Sequence, residues 1–162
     1  MSVERNVMVG AHCRSNAGFF RSALWLPSVR AEEARMREHA RVIMDYIGLT
    51  PYRNRAVGDL PFGIQKRVEL ARALAGDPEV LLLDEWLAGL NPTELEQGID
   101  LIHKLRDEGR TVVLVEHVMD AIRSLCDACV VMSSGRKIAE GTPGEVLSDP
   151  EVVRAYLGDD NA

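Results

Sequence analysis

The stretch that decides the fold is a short apolar run closed by two carboxylates, Glu79-Val80-Leu81-Leu82-Leu83-Asp84-Glu85. A nearly continuous apolar run of this length is typical of a parallel strand buried on both faces. Ligands of open α/β sheets collect at the carboxyl ends of the strands. We therefore expect Asp84 to hold Mg²⁺ and Glu85 to orient or deprotonate an attacking water. The alternative is a buried strand followed by two solvated acids.

The residues that follow predict a helix and a second strand. Asn91-Pro92-Thr93-Glu94 has the form of a helix start, with Asn91 as the cap and Glu94 three residues later. The helical pattern stops at Gly109, and the β-branched run 111–115 reads as another strand. Strand, helix and strand within about forty residues form a βαβ unit, which makes the two strands parallel.

His117 comes directly after this second strand. Because parallel neighbours end at the same edge of a sheet, we expect His117 to face Asp84 and Glu85. An imidazole there could contact a terminal phosphate or the attacking water. The alternative is a histidine with a purely structural role.

The remaining periodicity divides the chain near Gly76. Residues 1–76 read as a mainly helical region and residues 77–162 as an α/β region. The individual expectations are helices over 31–47 and 63–75, a loop over 50–59, a short helix from Val118 to Leu125, a hairpin of 128–132 with 136–140, and a last helix after Asp149-Pro150.

A glycine stands at the mouth of the second predicted helix, within Leu60-Pro61-Phe62-Gly63-Ile64-Gln65. Gly63 leaves room for close backbone approach, and the free N–H groups of a helix start favour an anion. A plain helix start with a basic, solvated face is the alternative.

Composition narrows the class of protein. The chain has 162 residues, enough for one domain with a core, and a net charge of −6, which argues against a nucleic-acid surface. No apolar run is long enough to span a membrane, and no signal-peptide pattern opens the chain. Of three cysteines, Cys126 and Cys129 form one C-x-x-C pair. A redox pair or half a zinc site is conceivable, but small apolar side chains in a reduced protein are the expectation.

Taken in order and spacing, these motifs resemble the ABC ATPase family over essentially the whole chain. Leu60 to Gln65 resembles the family's L-S-G-G-Q signature, 81–85 its Walker B strand, 88–92 its D-loop, and His117 its switch histidine. Five features are similar to the branch of this family that energises import of branched-chain amino acids. They are the Leu-Pro-aromatic-Gly form, Ala-Gly-Leu-Asn-Pro, Glu116-His117, the opening residues 6–10 and the ending residues 140–143.

The resemblance implies an α/β fold, part of a P-loop NTPase, in which a helical signature subdomain (1–76) precedes the C-terminal part of the nucleotide-binding core (77–162). It implies ATP and Mg²⁺ as ligands, with Asp84 on the metal and Glu85 and His117 as catalytic residues. The nucleotide-binding residues it implies are Leu60, Pro61, Phe62, Gly63, Gln65 and Asn91. Implied partners are membrane permease subunits and a second ATPase subunit, with no nucleic acid, at the cytoplasmic face of the plasma membrane.

The sequence also departs from the family pattern. It contains no G-x-x-x-x-G-K-[ST] phosphate-binding loop and no Q-loop glutamine, so we expect an N-terminally truncated chain with negligible ATPase activity by itself. Ile64, Trp86 and Val118 stand where the family usually has Gln, Pro and Asp. We expect Trp86 to shift the turn that aims Glu85.

Two alternatives follow from these departures. One is a non-catalytic remnant that binds and modulates an intact ABC ATPase. The other is the head of a DNA-repair ATPase, which the lack of heptad arms disfavours. The apolar stretch from Phe19 to Leu26 is either a surface for the membrane partner or core of the helical region.

Overall fold

The computed structural model describes residues 1–14 and 27–157; the apolar stretch from Phe19 to Leu26 lies outside the described residues. The elements along the chain are α1 (Val3–Gly10), α2 (Pro27–Tyr46), α3 (Phe62–Leu74), β1 (Val80–Asp84), α4 (Pro92–Asp107), β2 (Thr111–Val115), α5 (Met119–Leu125), β3 (Cys129–Ser133), β4 (Arg136–Gly141), α6 (Pro143–Val146) and α7 (Pro150–Leu157). Short 3₁₀ turns cover Ala11–Arg14, Thr50–Tyr52 and Val57–Asp59.

The helices of the first region pack around α1, which sequence reasoning had not identified. Val3 and Val7, four residues apart, are fully buried, and the Ser2 hydroxyl accepts from the amide of Arg5. This i, i+4 spacing and the serine cap are the signals that could have revealed the helix. At Gly10 the helix meets the backbone of α3 so closely that a Cβ atom would lie 1.8 Å from the carbonyl oxygen of Arg72. Glycine is therefore required at this crossing.

The predicted βαβ unit is confirmed. β1 and β2 are parallel, in a register that pairs Val80 with Thr111 and Asp84 with Val115. Between them, α4 begins with the expected capping box: the Asn91 side chain accepts from the amide of Glu94 at 2.9 Å, and Glu94 accepts from the amide of Asn91 at 3.1 Å. The helix fixes the connection that brings the carboxyl ends of both strands to one edge.

The expectation that β1 is buried on both faces is wrong for the described residues. Leu81 and Leu83 are buried, whereas Val80 is 52% and Leu82 73% exposed. Among residues 1–14 and 27–157, β1 pairs with β2 alone in a two-stranded sheet. Since core residues cover one face of this sheet, the apolar side chains of the other face remain in solvent.

The C-terminal hairpin is confirmed as β3 and β4, an antiparallel pair. Its turn at Ser134 and Gly135 has positive φ at both residues, which suits a tight two-residue connection. The short helix α6 was not predicted. Its start is a second capping box, in which the Thr142 hydroxyl accepts from the amide of Glu145 and Glu145 accepts from the amide of Thr142.

One continuous cluster of buried side chains joins the helical and α/β regions, running from Val3 through Leu70 and Leu81 to Leu125. A polar contact reinforces the junction: the Tyr46 hydroxyl at the end of α2 donates to Glu108 at 2.9 Å. Burial and the neighbouring carboxylate raise the pKa of Tyr46 to about 12, so this phenol stays protonated and keeps donating.

The predicted helix bounds were close to those observed. α2 begins at Pro27 rather than 31 and is followed by Gly48 with φ 76°, while α3 lies one residue earlier than predicted. Within the described residues, no helix combines the length and apolar character needed to cross a bilayer.

Candidate functional site

The structure brings together the three residues predicted to act on a phosphate. Asp84 ends β1, Glu85 follows it, and His117 lies two residues beyond β2. The His117 Nδ1 atom lies 3.7 Å from Glu85 Oε1, and the two side chains are 58% and 62% exposed. The predicted juxtaposition of His117 and Glu85 is therefore present, at an open edge that a phosphate or a water can reach.

The backbone of Glu85 is unusual. Its φ of 45° lies in the left-handed region, which a non-glycine residue occupies at a cost of about 1–2 kcal/mol. Its amide nevertheless extends the parallel pairing, donating to Val115 O at 2.8 Å. The carboxylate therefore projects from a sharply turned backbone anchored to β2.

Trp86 fixes the same turn from the side of α3. The indole is 5% exposed, and its Nε1 donates to Lys66 O at 2.9 Å. The Lys66 ammonium in turn lies 3.4 Å from Glu85 O. The indole also packs close to Gly98 of α4, where a Cβ atom would lie 3.3 Å from the ring. Trp86, one of the three residues that depart from the family pattern, is thus packed between α3 and the turn that carries Glu85.

The signature-like segment begins α3. Leu60 and Gly63 are buried, whereas Pro61 and Phe62 are exposed. Gln65 folds back, its Nε2 donating to Leu60 O at 2.8 Å. This bond closes the segment into a compact helix start.

This segment meets the D-loop-like residues of the same chain. A Cβ atom on Gly89 would lie 3.1 Å from the Phe62 ring, and one on Gly63 would collide with the Glu94 carboxylate. The Asn91 side-chain oxygen is engaged in the helix cap, which leaves its amide nitrogen for any further contact. The start of α3 therefore packs against the residues that lead into α4, while Asp84, Glu85 and His117 lie where β1 and β2 end.

The carboxylate of Asp84 at the sheet edge is compatible with binding of Mg²⁺. Among the described residues, no group of three His, Cys, Asp or Glu side chains could hold a metal ion. Mg²⁺ does not need such a cage, since it uses one or two carboxylates together with substrate phosphates and waters. The exposed Asp84 carboxylate at the end of β1 fits that mode of binding.

The C-x-x-C pair lies away from these groups, between α5 and β3. Cys126 and Cys129 are free and half-buried. Burial, with a smaller contribution from Cys129, raises the pKa of the Cys126 thiol to about 11. A thiol that stays protonated near neutral pH is a poor nucleophile and metal ligand, which favours a packing role.

Sequence reasoning missed the part played by Glu116. Its Oε1 accepts from the amide of Leu87 at 2.8 Å, directly behind the turn that carries Glu85. No local pattern points to this contact, because the two residues are 29 positions apart in the sequence.

Solved structures place this fold in the class of ATP-binding cassettes, a branch of the P-loop NTPases. The ADP conformation of MJ1267, an ATP-binding cassette of an ABC transporter, matches with a TM-score of 0.80 and 32% identity, over 98% of this chain and 63% of that one. A nucleotide-free ATP-binding cassette from an ABC transporter matches with a TM-score of 0.81 and 31% identity, over 98% and 64%.

The chain belongs to the ABC transporter family, whose model matches residues 4–88. A second model, described as branched-chain amino acid ATP-binding cassette transporter, matches residues 136–162. The chain is 38% identical over 160 residues to BraF of Pseudomonas aeruginosa and 37% identical to LivG of Escherichia coli K12, both named as high-affinity branched-chain amino acid transport ATP-binding proteins. The alignments cover 98% of this chain and 63% of each relative, so the chain spans less than two thirds of their length.

Proposed function

We propose that this chain acts in the ATP-binding subunit of an ABC transporter that imports branched-chain amino acids. The observation that carries the proposal is the meeting of Glu85 and His117, 3.7 Å apart, where two parallel strands end. The names of BraF and LivG, similar over 98% of the chain, supply the substrate class.

Each residue of the edge has a distinct role in this proposal. Asp84 holds Mg²⁺, which when bound neutralises negative charge on the phosphates of ATP. Glu85 orients or deprotonates the attacking water, and His117 contacts the terminal phosphate or that water. The exposure of Glu85 and His117 supports these roles, because a bound nucleotide or a water can reach both side chains.

The second group of residues acts on a neighbouring subunit. Leu60, Pro61, Phe62, Gly63, Gln65 and Asn91 contact nucleotide held by a second ATPase subunit and close its site. The compact start of α3, with the exposed Phe62 beside the buried Gly63, supports this placement. We propose residues 1–76 as the helical signature subdomain and 77–162 as part of the nucleotide core, working with membrane permease subunits at the inner face of the plasma membrane.

The test supplies the signature segment in trans. An intact relative, such as LivG, is disabled in its own signature segment and mixed with the 162-residue chain in Mg-ATP. We expect the wild-type chain to restore ATP hydrolysis. A chain with Gly63→Asp fails to do so, because the new side chain blocks the helix start and opposes Glu94. Gly58→Asp is the matched control, since nothing lies within 4 Å of a Cβ atom there.

The chain's own catalytic carboxylate is irrelevant in this composite site, so Glu85→Gln is expected to rescue as well as wild type. The same polypeptide without the relative is expected to show negligible hydrolysis, because its 162 residues contain no phosphate-binding loop sequence. No rescue by the wild-type chain, or equal rescue by Gly63→Asp, would contradict the proposal. Inhibition of an unmodified relative would instead favour a modulating subunit.

A further inference from the structure

The turn Glu85-Trp86-Leu87 directs the proposed catalytic carboxylate. Its first residue has a left-handed backbone, with φ 45°. A non-glycine residue keeps such a conformation when surrounding contacts over-determine it. The direction of the Glu85 side chain therefore depends on what holds this turn.

The turn donates three hydrogen bonds to other parts of the chain, from Glu85 N to Val115 O (2.8 Å), from Trp86 Nε1 to Lys66 O (2.9 Å) and from Leu87 N to Glu116 Oε1 (2.8 Å). It also accepts one, from the Lys66 ammonium to Glu85 O at 3.4 Å. The first extends the strand pairing, and the second reaches α3. The third differs because its acceptor is a carboxylate. Hydrogen bonds in which one partner is a charged group are about twice as strong as neutral ones. The Glu116 side chain ties the Leu87 end of the turn to the segment that follows β2.

Glu116 and His117 contact different parts of the turn. Glu116 is half-buried and bonds the backbone of Leu87, whereas the exposed His117 reaches the Glu85 carboxylate. The second oxygen of Glu116 is buried without a hydrogen-bond partner among the described residues. The Glu116 carboxylate therefore contacts the turn through one oxygen, which accepts from the Leu87 amide.

We propose that Glu116 is a positioning residue, which sets the direction of Glu85 by gripping the Leu87 amide. The inference rests on the proposed function of Glu85 but concerns how that carboxylate is aimed. It assigns Glu116 and His117 separate tasks: Glu116 fixes the turn, and His117 faces the reacting groups.

The test measures the turn directly, in the 162-residue chain. Amide hydrogen exchange at Leu87 is followed by NMR in wild type, Glu116→Ala and Glu116→Gln. Losing a bond to a charged group is expected to speed exchange at Leu87 about tenfold or more in Glu116→Ala. Glu116→Gln keeps an oxygen acceptor and restores most of the protection. Exchange at the fully buried Leu105 in α4 stays unchanged in both.

A second signal reports the aim of the carboxylate itself. At fixed pH, the imidazole signals of His117 are expected to shift in Glu116→Ala, because Glu85 leaves its position. Glu96→Ala, on the exposed face of α4, is the matched control and leaves both signals unchanged. If Glu116→Ala does not fold, Glu116→Asp is measured in its place. Its side chain keeps the carboxylate but is one methylene shorter, so it does not reach the Leu87 amide.

Unchanged Leu87 exchange in Glu116→Ala, or equal acceleration at Leu105, overturns the inference, because Glu116 would then be dispensable or merely stabilising. The inference is also overturned if the Leu87 amide exchanges as fast in Glu116→Gln as in Glu116→Ala. These readouts do not involve ATP. A failure of the hydrolysis proposal therefore remains distinguishable from a failure of the positioning role.

Discussion

Substitutions of Trp86 test directly how α3 and the turn that carries Glu85 are joined. The indole is 5% exposed, lies against Gly98 and donates to Lys66 O. Replacing it with alanine removes the packed ring, leaves a cavity and breaks the hydrogen bond. Replacing it with phenylalanine keeps a smaller aromatic ring in the core and breaks the bond.

The two substitutions therefore both break the hydrogen bond and differ in how much of the buried ring they remove. Trp86→Ala is expected to lower the free energy of unfolding by about 3–5 kcal/mol, the range for large aromatic truncations in a core. Trp86→Phe is expected to cost less, about 1–2 kcal/mol, because it loses one hydrogen bond and part of the ring volume. The share of the hydrogen bond is small, since Lys66 O lies within α3 and keeps its helical donor.

The assay is equilibrium unfolding in urea, followed by far-ultraviolet circular dichroism because the substitutions remove a fluorophore. Tyr156→Ala is the control, an aromatic truncation at a side chain that is 51% exposed, expected within about 0.5 kcal/mol of wild type. The reasoning is refuted if Trp86→Ala costs less than about 1 kcal/mol, or if Trp86→Phe is as damaging as alanine.

Three further perturbations follow from the structure. Gly10→Ala is expected to destabilise by about 1–3 kcal/mol, because α1 and α3 must separate to admit the Cβ atom, whereas Gly58→Ala is neutral in the same urea titration. Asn91→Ala is expected to cost about 1 kcal/mol by removing the cap of α4, with a loss of helical signal on heating; an unchanged melting temperature would argue against the cap. Hydrogen bonds from Thr142 hold the pKa of Glu145 below its ordinary value of 4.5, so this group stabilises the fold above that pH and the contribution disappears as the pH falls through the lowered pKa. Glu145→Gln should therefore flatten the acid side of the stability profile, and an identical profile would exclude the contribution.

The sequence predicted the geometry of the edge because that prediction needs only local patterns. An apolar run ending in Asp84 and Glu85, a capped helix and a β-branched strand define a βαβ unit, and parallel strands necessarily end together. His117 therefore had to lie near Glu85 once the strands were neighbours, as the 3.7 Å separation confirms.

The contacts that hold the turn Glu85-Trp86-Leu87 could not be predicted from the sequence. Trp86 packs against Gly98 of α4 and donates to Lys66 O of α3, and no local pattern specifies a partner twenty positions away. The same holds for Glu116, whose task depends on a backbone amide 29 positions earlier. Such contacts arise from the packing of distant elements, which periodicity does not encode.

By itself, the sequence determined the βαβ unit and most of the other elements, the family, and the meeting of Asp84, Glu85 and His117 at one edge, because these depend on spacing along the chain. The tertiary structure decided which face of β1 is covered, why Gly10 admits no side chain, and what holds the left-handed backbone of Glu85. These depend on which surfaces meet in space, and close packing makes each of them sensitive to a single methyl group or a single hydrogen bond.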